Sequence, residues 1–242
     1  MTAFELDERA CELGSAQGCN DLGVRLMEER GRKPDPERAF EMYRKACELG
    51  LPMGCTNLGY VYEKGVGTSA DRDRALSSYE RSCTAGEPLG CEHLGDLVYD
   101  DEAPDAKLRA LRAYEQACKG GRQGACSGLG MMYGMGIGVA RDRYRAVELL
   151  EGACAANVVI ACTGLGMIRL QPGDGLDVEG GKNALSHACD EREPHACYLL
   201  AGTLRTEDPD AHATDIRHLL ERGCDFKHEP SCQALREFNA GD

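Results

Sequence analysis

The sequence predicts an all-α solenoid of seven helical hairpins, and three observations carry that reading. The 14 cysteines fall into seven pairs, Cys11/Cys19, Cys47/Cys55, Cys83/Cys91, Cys118/Cys126, Cys154/Cys162, Cys189/Cys197 and Cys224/Cys232, and in each the second follows the first by eight positions. The first members step along the chain by 36, 36, 35, 36, 35 and 35 residues, which is the period of a repeat array and not of a single globular core. An amphipathic helical pattern runs into the first cysteine of a pair, and another leaves from the second.

The second copy shows how the elements arise. Asp35 suits an N-cap and Pro36 the first helical position, and apolar residues recur at 39, 40, 43, 46 and 47. Gly50, three residues after Cys47, is expected to end this helix, because glycine adopts the left-handed C-cap conformation without steric cost. The next helix is expected to start around Met53 to Cys55, to run through Leu58, Gly59 and Tyr62, and to end before Gly65-Val66-Gly67. The two cysteines then face each other across the neck of the hairpin, close enough for a disulfide. Closing a loop of about nine residues stabilises by roughly 2.5 kcal/mol on the chain-entropy account. Small residues precede both cysteines (Ala46 and Gly54, Ser82 and Gly90, Ala117 and Ala125, Ala153 and Ala161, Ala188 and Ala196), as close approach of two helix ends requires.

A Leu-Gly step follows the second cysteine at Leu22-Gly23, Leu58-Gly59, Leu94-Gly95, Leu129-Gly130 and Leu165-Gly166. A glycine inside a helix costs about 1 kcal/mol, so its recurrence implies another backbone packed against it. The copies then decay. The turn position passes from Gly14, Gly50, Gly86 and Gly121 to Asn157, and finally to Arg192 and Lys227, which tolerate a left-handed conformation poorly. Residues 225–242 are expected to cap a single solenoid domain spanning residues 1–242.

The pattern resembles the Sel1-like repeat family, and within it the cysteine-rich bacterial type with one disulfide per repeat. Gly138-Val139-Ala140-Arg141-Asp142-Arg143-Tyr144-Arg145-Ala146 resembles the family's linker and helix start, and Asp71-Arg72-Asp73-Arg74-Ala75 and Asp35-Pro36-Glu37-Arg38-Ala39 match its second half. Tyr43, Tyr79 and Tyr114 occupy the family's second-helix aromatic position, while copies five to seven depart, with Gly181 where alanine belongs. The resemblance implies a right-handed α/α superhelix, similar to tetratricopeptide arrays, whose concave side is lined by the helix that begins at the second cysteine.

Paired cysteines have three readings: structural disulfides, soft-metal ligands converging from neighbouring necks, and redox chemistry. The first is favoured, because two cysteines make only half of a tetrahedral zinc site and no Cys-x-x-Cys occurs. Disulfides imply an oxidising compartment, periplasmic or secreted, although the chain opens without a signal sequence. No cofactor and no metal is expected. His187 and His195 flank one cysteine pair and could stand side by side as metal or haem ligands, but solvent-facing helix positions explain them better. The resemblance also raises β-lactam or peptidoglycan-fragment binding with weak β-lactamase activity. No serine is followed three residues later by lysine, so the serine β-lactamase arrangement is missing.

With 28 basic and 41 acidic side chains the net charge is −13, which disfavours nucleic acid as a partner. No run of about 20 apolar residues spans a bilayer. What remains is a non-enzymatic, monomeric scaffold that binds a protein or peptide. The positions two and five beyond the second cysteine are free of the core pattern and vary between copies, so Asp21, Asn57, Tyr60, His93, Asp96, Met131 and Met167 are the candidate partner-binding residues. A metal- or haem-handling assembly factor is the remaining alternative.

Overall fold

A computed structural model describes residues 2–28, 33–173 and 177–240. Met1 and the last two residues of the expected cap lie outside the described residues. Fourteen α-helices and no strand occur among those described: α1 (Ala3–Glu12), α2 (Ala16–Met27), α3 (Pro36–Glu48), α4 (Pro52–Lys64), α5 (Arg72–Thr84), α6 (Pro88–Tyr99), α7 (Ala106–Lys119), α8 (Gln123–Met135), α9 (Arg143–Ala155), α10 (Val159–Arg169), α11 (Val178–Asp190), α12 (Pro194–Glu207), α13 (Ala213–Asp225) and α14 (Glu229–Ala240). The chain forms two compact units, residues 1–125 and 126–242.

Within the units a first helix pairs with the second helix that follows it across a cysteine neck: α1 with α2, α3 with α4, α5 with α6, α9 with α10, α11 with α12 and α13 with α14. Bridges join Cys11–Cys19, Cys47–Cys55, Cys83–Cys91, Cys154–Cys162, Cys189–Cys197 and Cys224–Cys232, with Cα atoms 4.4 to 4.8 Å apart. Cys118 and Cys126 are disulfide-bonded as well, and no free cysteine occurs among the described residues. The small residues before the cysteines make this approach possible. A Cβ added to Gly54 would lie 2.7 Å from that of Ala46, and one on Gly18 would lie 2.5 Å from that of Ala10. In the last hairpin the glycine changes sides: Gly223 on the first helix faces Ser231 on the second, at 2.8 Å for the same test.

The turn at the neck is the same in every copy. Gly14, Gly50, Gly86 and Gly121 have φ between 86° and 90°, and Asn157, Arg192 and Lys227 follow at 64°, 69° and 63°. Arg192 N–H donates to the Cys189 carbonyl at 3.1 Å and Glu193 N–H to that of Ala188 at 2.9 Å, matching the bonds Gly50 and Leu51 make to Cys47 and Ala46. Arginine and lysine were expected to disfavour this conformation, yet the neck imposes it on them. The second helix of the second copy begins at Pro52, one residue before the expected start, because proline suits the first helical turn.

Neighbouring hairpins meet through the Leu-Gly step, and the expectation of a backbone neighbour is corrected at Gly23, Gly59 and Gly95, whereas at Gly130 and Gly166 a carbonyl oxygen, of Ala146 and Gly181, stands beside the side chain at 3.3 and 3.0 Å from an added Cβ. Each glycine receives a side chain from the next first helix. A Cβ on Gly23, Gly59 or Gly95 would lie 2.6, 2.5 and 2.6 Å from the ring of Tyr43, Tyr79 and Tyr114, respectively. Leu150 and Leu185 take the same place over Gly130 and Gly166. A ring lying flat on a helix needs the missing Cβ as much as a second backbone would. Second helices of successive hairpins also pack on one another, α2 with α4 and α4 with α6 in one unit, α10 with α12 and α12 with α14 in the other, whereas first helices do not to a comparable extent. Each unit therefore closes up along its second helices.

Two stability predictions follow from these contacts. Arg192→Gly is expected to raise unfolding free energy in urea by about 1 kcal/mol, the cost of a left-handed non-glycine residue, and Gly50→Arg to lower it by a similar amount. Gly59→Ala is expected to destabilise by about 2 kcal/mol through overpacking against Tyr79. Adding Tyr79→Leu, which recreates the native Ala201 and Leu220 combination, should restore part of that loss in the same titration.

Candidate interaction face

In the first unit the second helices carry an acidic and aromatic face, built by the tyrosines beneath them. Tyr79 is fully buried on α5, and its hydroxyl donates to Glu63 Oε2 on α4 at 2.9 Å. Tyr114 on α7 donates to Asp96 Oδ1 on α6 at 2.8 Å. The rings seated on Gly59 and Gly95 thus each deliver a hydroxyl to a carboxylate on the face above. Burial, followed by the carboxylate neighbour, pushes both phenols well above the usual tyrosine range. Burial, with a smaller contribution from Glu28, pushes Tyr43 up to about 12.

The two carboxylates differ. Burial raises Glu63, but hydrogen bonds from Lys64 and Tyr79 outweigh it and hold the group below the ordinary glutamate value. Asp96 keeps part of its surface open, yet the surrounding helices strip water from the carboxyl and hold it above the ordinary aspartate value, against the opposing effect of Tyr114. No lysine or arginine pairs with Asp96 among the described residues. His93 lies stacked on Tyr79 with ring centroids 5.2 Å apart, within electrostatic reach of Glu63 and Asp96. Tyr60, 44% exposed, stands next to the same group.

The other candidate residues make contacts within the array. Asn57 donates to Asn20 Oδ1 at 2.8 Å across two second helices, and Asp21 accepts from Gln17 at 2.8 Å. Met131 seats its sulfur over Gly164, Met132 is fully buried, and Met167 is half-buried. His187 is exposed and does not meet His195. The imidazole near His195 is His228, with ring centroids 5.8 Å apart and Tyr198 edge-on to the latter, while His228 Nδ1 shares a 2.8 Å hydrogen bond with Ser231. Among the described residues no three metal-ligating side chains converge.

Sequence reasoning missed Glu63 and the Tyr114 hydroxyl. Glu63 lies three residues beyond Tyr60, one helical turn along the same face, and that spacing was a usable signal.

The Sel1 repeat profile matches residues 16–51, 52–87 and 124–158. Three stretches of the chain are thus Sel1 repeats. Among solved structures it is similar to c5321, a protective antigen of uropathogenic Escherichia coli with an SLR fold, at 21% identity and a TM-score of 0.80, covering 96% of this chain. The chain spans about half, 50%, of the length of that relative. It is also similar to a Sel1 repeat protein from Oxalobacter formigenes, at 22% identity and a TM-score of 0.67, covering 98% of this chain and 97% of that one. A putative Sel1 repeat protein from Klebsiella pneumoniae follows at 18% identity and a TM-score of 0.51, covering 83% and 98%. These likenesses concern the fold. Among curated proteins none matches the sequence.

The matched Sel1 repeats begin at second helices: 16–51 takes in α2 and α3, and 52–87 takes in α4 and α5. The family's repeat is thus one helix out of phase with the cysteine hairpin, and it groups the glycine with the ring that rests on it. The family's second helix is accordingly the first helix of each cysteine hairpin, which is where Tyr43, Tyr79 and Tyr114 stand.

The buried phenols make a pH prediction. Their folded-state ionisation lies above the unfolded value near 10, so their contribution is complete below about pH 10 and is lost as pH rises beyond it, when only the unfolded chain ionises. Absorbance at 295 nm is expected to show Tyr43, Tyr79 and Tyr114 ionising only with unfolding. A Tyr79→Phe variant should show a shallower loss of stability between pH 10 and 11.

Proposed function

We propose that this protein is a non-enzymatic scaffold that binds a protein or peptide partner along its second-helix face, the concave side expected for such arrays. The partner segment is basic. The observation that supports this most is Asp96, a water-stripped carboxylate at an open surface without a cation of its own, beside exposed Tyr60 and within reach of Glu63. A lysine or arginine side chain would supply the missing charge and lie against the Tyr60 ring. The overall charge of −13 would speed encounter with such a segment. The disulfides belong to an oxidising compartment, and we place the scaffold in the periplasm or outside the cell, acting as a monomer. The fold alone does not set the partner.

The test is fluorescence anisotropy with a labelled, lysine- and arginine-rich dodecapeptide and its glutamate-substituted counterpart, using oxidised protein. The basic peptide is expected to bind, more weakly as salt rises, and Asp96→Asn and Tyr60→Ala should each weaken it about five- to tenfold. Equal binding of the acidic peptide, or no effect of either substitution, sinks the proposal.

A further inference from the structure

The second unit holds a crevice of different chemistry. Among the positions five beyond the second cysteine, Val24, Tyr60, Asp96, Met131 and Met167 carry side chains, but the sixth copy has Gly202. At that position α12, α13 and α14 leave a half-open crevice of about 310 Å³, walled by Leu199, Ile216, Leu220 and Ala234. A Cβ on Gly202 would meet nothing within 4 Å, so the missing side chain is what opens the space. The volume reaches the lower end of small-molecule pockets, about 300 Å³.

One cation stands at its rim. Arg205 lines the crevice and pairs with no carboxylate among the described residues, although the chain as a whole has 41 acidic side chains against 28 basic ones. The hydroxyls of Thr203 and Thr206, which also line it, are already committed to the carbonyls of Leu199 at 2.9 Å and Thr203 at 2.8 Å. Neither hydroxyl therefore has a proton left to donate to a ligand's acceptor atoms. The walls and the rim together suit an apolar body ending in a single negative charge.

We infer that this crevice binds a monocarboxylic acid with an aliphatic chain, its hydrocarbon against Leu199, Ile216 and Leu220 and its carboxylate on Arg205. The site is independent of the basic-peptide face, which belongs to the other unit.

Isothermal titration with hexanoate, octanoate and decanoate tests it, with octylamine, octanamide and an acetylated heptapeptide ending in a free leucine carboxylate as comparisons. Affinity is expected to rise three- to fourfold per methylene added until the crevice is full, and octanoate should exceed octylamine and octanamide at least tenfold. Arg205→Gln should weaken octanoate about tenfold and leave octanamide unchanged. Gly202→Leu should abolish binding while the thermal midpoint stays equal or rises, since leucine favours helix over glycine. No octanoate binding, octylamine binding as tightly, or binding retained in folded Gly202→Leu overturns the assignment. Tighter binding of the heptapeptide than of octanoate overturns the choice of a free acid.

Discussion

Everything in this protein hangs on the approach of two helix ends at the cysteine neck. With Cα atoms under 5 Å apart, two ordinary side chains cannot both precede the cysteines. The chain must also reverse within three residues, which forces one residue into the left-handed conformation. The neck tolerates different ways of meeting these demands. Glycine stands on the second helix in Gly18, Gly54 and Gly90, and on the first in Gly223 opposite Ser231. The volume across the neck is what matters, not the side that supplies the space. The same holds for the turn, where the bonds back to the cysteine carbonyl and its predecessor persist when arginine or lysine replaces glycine.

The neck orients a hairpin, and the glycine-borne ring then sets its distance from the next. A second-helix glycine that accepts Tyr43, Tyr79 or Tyr114 draws the following first helix into a fixed register. That packing also fixes surface chemistry. A phenol inserted beneath a helix has to place its hydroxyl somewhere, and burial without a partner would cost on the order of 1–3 kcal/mol. Glu63 and Asp96 accept those protons, so two face positions are carboxylates partly for reasons of the core. Where leucine replaces tyrosine, at Leu150 and Leu185, no hydroxyl emerges and the constraint on the face disappears. The methionines and Gly202 follow in that half of the chain.

This division explains what could be read before the structure was known. Features that repeat, the cysteine pairs, the turn residue and the Asp35, Asp71 and Asp142 caps, are local and periodic, and the sequence displays them directly. The Leu-Gly step was equally visible, but a glycine records only that a side chain is missing. Whether a backbone or a ring fills the space depends on a residue 19 or 20 positions later. The face was harder for the same reason. Asp96 is marked by its register, but its partner Tyr114 lies 18 residues away on another element, and His228 reaches His195 from the following hairpin. His187 and His195 looked paired because each precedes a cysteine by two residues. The neck brings together the cysteines and the small residues before them, whereas the ring contacts of His195 are with Tyr198 and His228.

The disulfides and the glycine-seated rings hold the array without help from the variable positions, which leaves those positions free to differ in kind. Tyr60 and Asp96 offer charge and aromatic surface, Met131 closes the gap over Gly164, and Gly202 leaves space unfilled. All stand at the same register on equivalent helices. A backbone fixed by necks and rings can therefore carry a cation-seeking face in one unit and an apolar crevice with a lone arginine in the other. Neither required a change of fold: one substitution at one repeated position is enough to turn a contact into an opening.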